Sequence, residues 1–241
     1  MKILSVDTSS ANCSVSIVEV DKDKNYNIIA YENNSEEKTH SQKLMPMIDD
    51  MFKKSNLSLD NIDLLACALG PGSFTGIRIG IATIKAFADV KNIPTVGVSS
   101  LESLAYNITD NSIIFPIIDC KNNNVYSALF SHKDDNYLQI GDNIAENINV
   151  VLDTFVNNLD ASFKSICFVG NGSILYKDLI EDKFKESNYE LIFSNSNVQD
   201  SISLAKCAYD KYLKGFYGDS NFISPLYLRK SQAEREKYGE K

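Results

Sequence analysis

The sequence predicts an α/β protein made of two lobes that share one order of elements. The chain has 241 residues, which suffices for one large domain or for two lobes of about 100 to 150 residues each. Residues 3–32 read as three strands, with an aspartate and a polar turn between the first two. Residues 113–140 repeat that order, and alternating helices and strands follow each stretch. This repetition indicates an internal duplication of one α/β unit.

The first lobe is expected to span residues 1–110. Its strands are the runs ILSVDTSS, CSVSIVEV and NIIAYE, in which apolar residues alternate or cluster. A helix over 40–54 follows, with Thr39 as its N-cap and apolar residues at helical spacing. The buried strand LLACAL, a second helix over 73–90 and the strand IPTVGVSS then form a unit that requires parallel pairing and a right-handed crossover.

The second lobe is expected to span residues 111–241. The run IIFPIIDCKNNNVYSALFS reads as strand, aspartate, polar turn and strand, and YLQI as a third strand. The helix NVVLDTFVNNL, the strand SICFV, a helix over 173–185 and the strand LIF follow. The last helix, SISLAKCAYDKYLKG, ends at Gly215 as a C-cap.

Composition narrows the classes of function. The net charge is −8 and the isoelectric point is near 4.9. A protein that grips nucleic acid by itself needs a clustered basic face, and the Lys/Arg-rich segment here is the short stretch after Leu228. The opening residues lack the apolar core of a signal peptide, and no apolar run reaches the roughly 18 residues of a membrane span. We therefore expect a cytoplasmic protein that does not enter membranes.

The five cysteines show no CxxC spacing and fall mostly in or beside strand-like runs. They are Cys13, Cys67, Cys120, Cys167 and Cys207. This pattern is typical of buried thiols in a reducing compartment. A nucleophilic cysteine needs an activating histidine, and the chain contains only His40 and His132.

The stretch LGPGSFTGIRIG, residues 69–80, is the most unusual part of the sequence. It joins a buried strand to a helix N-terminus, which is a context that favours anion binding. A Walker loop would need a lysine that this stretch lacks, and a dinucleotide fingerprint fails at Thr75. Gly72, Gly76 and Gly80 instead recur every four residues and predict the close approach of another helix, for which the helix over 40–54 is the natural neighbour. Either both helices simply pack on their own sheet, or they form a surface for a partner protein.

The order of five segments identifies a family. ILSVDTSS, HSQKLMPMID, GPGSFTGIRIG, IPTVGVSSLESLA and SPLYLRKSQAE together resemble the TsaB (YeaZ) family, whose members are paralogues of the ligase subunit TsaD. The resemblance implies an actin-like ATPase (ASKHA) fold of two RNase-H-like lobes. It also implies a part in forming N6-threonylcarbamoyladenosine at position 37 of tRNAs that read ANN codons. In that system TsaD performs the transfer, TsaB binds and activates TsaD through helices, and the ATPase TsaE joins them.

The resemblance places the partner interface on the two helices 40–54 and 73–90. The expected interface residues are Met45, Met47, Met51, Gly72, Phe74, Thr75, Gly76, Arg78 and Gly80. The expected partners are TsaD and TsaE, with a homodimer through the same surface when the chain is alone. Contact with tRNA is expected only through the complex, although the tail residues Arg229, Lys230, Arg235 and Lys237 leave a direct contact open.

The same resemblance argues against catalysis by this chain. TsaD-like enzymes hold a metal with two histidines of a V-N-H-x-E-G-H run, and the aligned residues here are Ser100 and Leu104. Neither side chain replaces a histidine ligand, and neither a zinc dyad nor a Ser/His/Asp set suggests a peptidase. We expect no catalytic residue, no metal and no cofactor, with ATP or ADP confined to the interface of the complex.

The nucleotide site is expected to be vestigial. It comprises Asp7, Thr8, Asp119, Gly170 and Gly172. The first hairpin keeps its aspartate but lacks the glycine that lets a phosphate approach the backbone. The glycines near residue 170 resemble an adenosine-side loop, or they are a plain strand-to-helix turn. The alternative function is a stand-alone phosphotransferase or ATPase that binds nucleotide and Mg²⁺ at Asp7 and Asp119.

Overall fold

A computed structural model describes residues 1–35, 40–156, 159 and 163–229. The first of two five-stranded sheets contains β1 Lys2–Asp7, β2 Cys13–Val20, β3 Tyr26–Asn34, β4 Leu64–Gly70 and β5 Thr95–Ser99. The second contains β6 Ser112–Asp119, β7 Asn124–Lys133, β8 Asn136–Asn147, β9 Ser165–Val169 and β10 Glu190–Phe193. The expected helix N-cap at Thr39 lies outside the described residues.

The two sheets have the same topology. Their spatial orders are β3-β2-β1-β4-β5 and β8-β7-β6-β9-β10. In each sheet the first three strands pair antiparallel and the last two join in parallel. The predicted duplication is therefore confirmed strand by strand.

Seven helices lie in the described part of the chain. They are α1 His40–Ser55, α2 Phe74–Lys91, α3 Ser100–Ala105, α4 Ile148–Val156, α5 Asn171–Leu175, α6 Lys177–Phe184 and α7 Ser201–Leu213. The predicted helices over 40–54 and 73–90 are α1 and α2, each within one residue at either end. The predicted helix over 173–185 is two short helices, α5 and α6, and the short helix α3 was not predicted. None of these helices is long and apolar enough to cross a membrane.

Helices cover both faces of each sheet, and two of them, α3 and α7, cover the sheet of the other half of the chain. The first sheet packs against α1 and α2 on one face and against α7 on the other. The second sheet packs against α4 and α6 on one face and against α3 on the other. Helices α3 and α7 contact each other and are joined by an ion pair, in which Lys211 Nζ lies 2.9 Å from Glu102 Oε2.

The division expected at residue 110 therefore separates the sheets but not the helices. Helix α7 was assigned to a second lobe of residues 111–241, yet its buried residues Leu204, Ala205 and Ala208 belong to a core with Ile3 and Val18 of the first sheet. Hydrogen bonds as well as apolar contacts hold α7 on the first sheet, because two serines of that sheet bond to the first residue of α7. Their contacts are Ser5 Oγ to the Ser201 carbonyl oxygen at 2.7 Å, and the Ser201 amide to Ser14 Oγ at 3.0 Å.

Candidate functional site

The glycine-rich stretch holds the turn that follows β1. A Cβ atom at Gly72 would lie 2.1 Å from the Ser9 carbonyl oxygen, and one at Gly76 would lie 1.9 Å from the Thr8 carbonyl oxygen. The Ser73 amide donates to the Ser9 carbonyl oxygen at 2.7 Å. Thr8 Oγ1 donates to the Gly76 carbonyl oxygen at 2.7 Å. The spacing predicted the close approach of another helix, whereas the segment that approaches these glycines is the turn after β1.

The group that approaches is part of the same lobe, which corrects the expectation of a partner at these glycines. Gly76 and Gly80 are buried, and a Cβ at Gly80 would lie 2.5 Å from Thr8 Oγ1. The side of α2 that carries these two glycines faces the turn between β1 and β2, so a partner protein cannot contact that side of the helix. Gly76 and Gly80 are therefore not available to a partner protein.

The methionines of α1 divide into core and surface. Met47 and Met51 are 7% and 1% exposed and pack in the core between α1 and the first sheet. They lie at helical spacing with Leu44 and Ile48 on the buried face, so their expected role on a partner surface is corrected. Met45 is 48% exposed and stays a candidate for that surface.

Three side chains form what we call the Arg78 platform: Phe74, Arg78 and Tyr227. The rings of Phe74 and Tyr227 stack with centroids 4.6 Å apart and planes 10° apart. Arg78 Nε donates to the Tyr227 hydroxyl oxygen at 2.7 Å, and its Cζ lies 5.5 Å from the Tyr227 centroid and 5.9 Å from that of Phe74. Sequence reasoning selected Phe74 and Arg78 but missed Tyr227, although SPLYLRK was one of the segments used for recognition.

Tyr227 reaches the platform on an extended segment, residues 223–229. Ile223 is fully buried in the core beneath α2. The Leu226 amide donates to the Leu69 carbonyl oxygen at 2.7 Å, at the end of β4. Arg229 Nη1 donates to Cys120 Sγ at 3.0 Å in the turn after β6. The segment therefore runs from the first lobe to the second. Of the tail cations expected to approach tRNA, only Arg229 lies in the described residues.

Asp7 ends β1 in a buried position. Ser9 donates to Asp7 Oδ1 from its amide at 2.8 Å and from its hydroxyl at 2.6 Å. Oδ2 has no hydrogen-bond partner among the described residues. Burial raises the pKa of this carboxyl, and the Ser9 hydrogen bonds only partly oppose that rise. Because Asp7 is 1% exposed, it is poorly placed to hold a nucleotide-bound Mg²⁺ ion.

The corresponding aspartate of the second lobe is also engaged by its own chain. Asp119 Oδ1 accepts hydrogen bonds from the Tyr176 hydroxyl at 3.0 Å and from the Lys121 amide at 3.2 Å. The Asp119 amide donates to Asn171 Oδ1 at 3.0 Å. Asp119 Oδ1 is therefore engaged by residues of its own lobe.

The glycines near residue 170 form a strand-to-helix turn. A Cβ at Gly170 would lie 2.4 Å from the Ile117 carbonyl oxygen, and one at Gly172 would lie 2.6 Å from Ile117 Cγ2. The Gly170 amide donates to Asn197 Oδ1 at 2.9 Å. Both glycines therefore lie close to β6, and of the two interpretations open for them this contact favours the strand-to-helix turn.

The residues at the TsaD metal positions do not fit a metal ion. Ser100 and Leu104 are fully buried on α3, and the Ser100 hydroxyl has no hydrogen-bond partner among the described residues. Leucine supplies no ligand atom, and a serine hydroxyl is a poor one. His40 begins α1 beside the first sheet and His132 lies on β7 of the second. Within the residues described, no cluster of histidine, cysteine and carboxylate side chains is suited to a metal.

A cavity of about 340 Å³ lies near the start of β1, at the end of the sheets opposite to Asp7 and Asp119. Its lining includes Lys24, Tyr26, Tyr106, His132, Tyr137 and Asp210. The Tyr106 and Tyr137 rings stack with centroids 3.9 Å apart. Asp210 accepts from the Tyr106 hydroxyl at 2.9 Å and pairs with Lys24 Nζ at 2.6 Å. Sequence reasoning missed this cavity, because its residues come from four separate segments of the chain.

Comparison with known proteins identifies relatives along nearly the whole chain. A family model described as TsaD, tRNA N6-adenosine threonylcarbamoyltransferase, matches residues 28–237. The tRNA threonylcarbamoyladenosine biosynthesis protein TsaB of Bacillus subtilis is 28% identical over 235 residues, which cover 97% of this chain and 96% of that protein. TsaB of Haemophilus influenzae is 27% identical over 239 residues, covering 95% and 94% of the two chains.

Solved structures share the fold. YeaZ from Pseudomonas aeruginosa superposes with a TM-score of 0.75 at 21% identity, covering 94% of this chain and 99% of that one. A second Pseudomonas aeruginosa structure, described as similar to the peptidase YEAZ, gives a TM-score of 0.77 at 22% identity, covering 95% and 99%. The duplicated sheets and these similarities together show the actin-like ATPase (ASKHA) fold of two RNase-H-like lobes.

Proposed function

The chain belongs to the TsaD family of tRNA N6-adenosine threonylcarbamoyltransferases and is a TsaB-like (YeaZ-like) member of it, and on this premise we propose that it is a non-catalytic subunit of the system that makes tRNA threonylcarbamoyladenosine. It binds a TsaD-type transferase, and with it TsaE, and activates the transfer to adenosine 37 of ANN-decoding tRNAs. Because the proposed substrate is a tRNA, we expect the protein to act in the cytoplasm. The full-length match to TsaB proteins is the observation that carries the proposal.

Close packing beside the central strand of each sheet supports a non-catalytic role. In each lobe the helix that follows a parallel strand packs its glycines against the end of the central strand, at Thr8 in the first lobe and at Ile117 in the second. The backbone at both places is in contact with a helix of the same lobe. The buried Ser100 and Leu104 argue likewise against a metal-dependent transfer. We therefore assign the chemistry to the partner.

The outer side of α1 and α2 supports a binding role. Met45 and Phe222 are 48% and 50% exposed, and the Arg78 platform lies on the same helix α2 that the turn containing Phe222 packs against. Exposed apolar side chains around a fixed cation are typical of protein interfaces. We propose that this surface binds TsaD, and that it pairs two copies of the chain when TsaD is absent.

Reconstitution tests the proposal directly. Purified TsaD, TsaE, unmodified tRNA and threonylcarbamoyl adenylate are incubated with and without this chain, and modified adenosine is measured by mass spectrometry of nucleosides. We expect modification to depend on the chain. An equal yield in its absence would refute the proposed function.

A surface variant tests the binding face. Met45→Glu places a charge on the proposed surface, and we expect it to weaken co-purification with TsaD at least about tenfold, because a buried unpaired charge is costly. Leu138→Glu is the matched control, since Leu138 is 63% exposed on β8 of the second lobe. Equal losses in both variants would contradict the assignment of the face.

Calorimetry separates this function from a stand-alone phosphotransferase. Titration of the isolated chain with ATP and Mg²⁺ is expected to show no saturable binding tighter than about 100 μM. Sub-micromolar binding with turnover would favour the phosphotransferase instead. Nucleotide that binds only after TsaD is added would locate the site at the interface of the complex.

A further inference from the structure

The Arg78 platform fixes one edge of a solvent-exposed guanidinium. An arginine on a helix surface normally samples many rotamers and loses that freedom on binding. Here the Nε hydrogen bond to Tyr227 at 2.7 Å and the two rings beneath Cζ hold the group in place. Arg78 is therefore oriented before any partner arrives, which lowers the entropic cost of binding.

The other edge of the same guanidinium is available. A guanidinium has five N–H donors in a rigid fork, and the contact with Tyr227 uses the one on Nε. Arg78 takes part in none of the ion pairs found among the described residues. The paired N–H groups of Nη1 and Nη2 match the two oxygens of a carboxylate or phosphate.

We propose that this free edge binds a carboxylate of the partner protein, and that the segment 223–229, through Tyr227, forms part of the partner-binding surface. The inference rests on the proposed function, because it names the chemistry by which the same face recognises TsaD. It adds a residue, Tyr227, that lies about 150 positions from Arg78 along the chain.

The surroundings favour a protein carboxylate over a phosphate of nucleic acid. Phosphate-backbone binding draws on several clustered cations, whereas the side chains that contact Arg78 are the aromatic rings of Phe74 and Tyr227. The net charge of −8 also opposes the approach of nucleic acid. A single oriented arginine among aromatic rings is instead typical of the centre of a protein interface.

The segment that carries Tyr227 is anchored on both sides of the platform. The Leu226 amide is bonded to the Leu69 carbonyl oxygen, and Arg229 is bonded to Cys120 of the second lobe. These contacts hold the segment in the position in which the Tyr227 ring stacks on Phe74. Loss of the Tyr227 hydroxyl would release Nε without disturbing the stack.

The test measures the affinity of the full chain for purified TsaD of the same organism by calorimetry. Arg78→Gln removes the charge and Arg78→Lys removes the fork while keeping the charge. We expect both to weaken binding about tenfold or more, because a bidentate contact does not survive replacement by lysine. Tyr227→Phe is expected to weaken binding less, about threefold, because it removes only the orienting hydrogen bond.

Lys185→Gln is the matched control, since it removes one positive charge from the second lobe, where Lys185 pairs with Asp182 on the surface. Its affinity for TsaD is expected to equal that of the wild type. All variants should keep the wild-type melting temperature, because Arg78 is exposed. In a second step, Arg78→Glu should lose binding, and reversing one carboxylate of TsaD to arginine should restore it.

The outcomes separate this inference from the function it rests on. If the wild-type chain does not bind TsaD, the proposed function fails. If the wild type binds TsaD and the Arg78 variants bind equally well, the inference is overturned and the function stands. If Arg78→Gln leaves TsaD affinity unchanged but weakens binding of tRNA to the assembled complex, the ligand is a phosphate and the inference is overturned. Failure of every charge reversal on TsaD to restore binding to Arg78→Glu would overturn it as well.

Discussion

Gly76 of α2 and Thr8 of the turn after β1 meet backbone to backbone. A Cβ at position 76 would lie 1.9 Å from the Thr8 carbonyl oxygen, and Thr8 Oγ1 donates to the Gly76 carbonyl oxygen at 2.7 Å. The second lobe repeats the relationship, since a Cβ at Gly172 would lie 3.0 Å from the Ile117 carbonyl oxygen. The duplicated lobes thus close the ends of their central strands in the same way.

Gly76→Ala is expected to destabilise the protein by about 3 kcal/mol, because the added methyl group overlaps backbone that cannot move independently. Urea denaturation monitored by circular dichroism measures the change in free energy of unfolding. Gly141→Ala is the control, since a Cβ there meets nothing within 4 Å. Its positive φ of 74° should cost only about 1 kcal/mol. Equal losses at both positions would show that the contact with Thr8 is not tight.

Asp7→Asn is expected to change how stability depends on pH. Burial raises the pKa of the Asp7 carboxyl above its unfolded value, so wild-type stability is greatest below the unfolded pKa and falls as pH rises through the folded pKa. An asparagine cannot ionise and avoids that fall. The difference in melting temperature, variant minus wild type, should therefore become more positive as the pH rises above the unfolded pKa of about 4. The exposed Asp142→Asn is the control, and a flat difference for Asp7→Asn would contradict the burial of its charge.

Leu204→Ala is expected to cost about 2 to 5 kcal/mol, because Leu204 is fully buried between α7 and the first sheet. Hydrogen exchange should then accelerate in β1 and β2 and much less in β6 and β7. Leu213→Ala, at the 56% exposed end of the same helix, should leave exchange unchanged. Faster exchange confined to the second sheet would place α7 there instead.

Thiol labelling of the native chain is expected to modify about one cysteine quickly, and all five after unfolding. Cys13, Cys67, Cys167 and Cys207 are buried, and burial raises the pKa of the Cys13 and Cys167 thiols to about 11. Cys120 alone among the five is partly exposed. Cys120→Ser should remove the fast reaction and Cys167→Ser should not. A fast reaction that persists in Cys120→Ser would contradict the described burial.

Local patterns of the sequence predicted most of the fold. The alternating strands, the periodic faces of α1 and α2 and the repeated strand–aspartate–turn order depend on neighbours within a few residues. The same periodicity already grouped Met47 and Met51 with Leu44 on one apolar face, and the structure buries all three. The binding role expected of these two methionines came from the family resemblance, whereas their burial follows the alternative in which the helix packs on its own sheet.

Long-range pairing explains what the sequence could not predict. The spacing of Gly72 and Gly76 predicted the close approach of a helix, but the residues that approach are Thr8 and Ser9, which reach the glycines because β1 pairs with β4. An apolar face on α7 does not reveal which of two similar sheets it covers. Tyr227 likewise meets Arg78 only after the chain has passed through both lobes.

The return of the C-terminal residues to the first sheet affects the order in which the chain folds during synthesis. Strands β1 and β2 leave the ribosome first, yet one face of their sheet is covered by α7 and the core beneath α2 is completed by Ile223. A nascent chain that stops before residue 201 would therefore carry an uncovered apolar sheet. Vectorial synthesis thus delays completion of the N-terminal lobe until nearly the whole chain has emerged, the reverse of the usual N-terminal-first sequence.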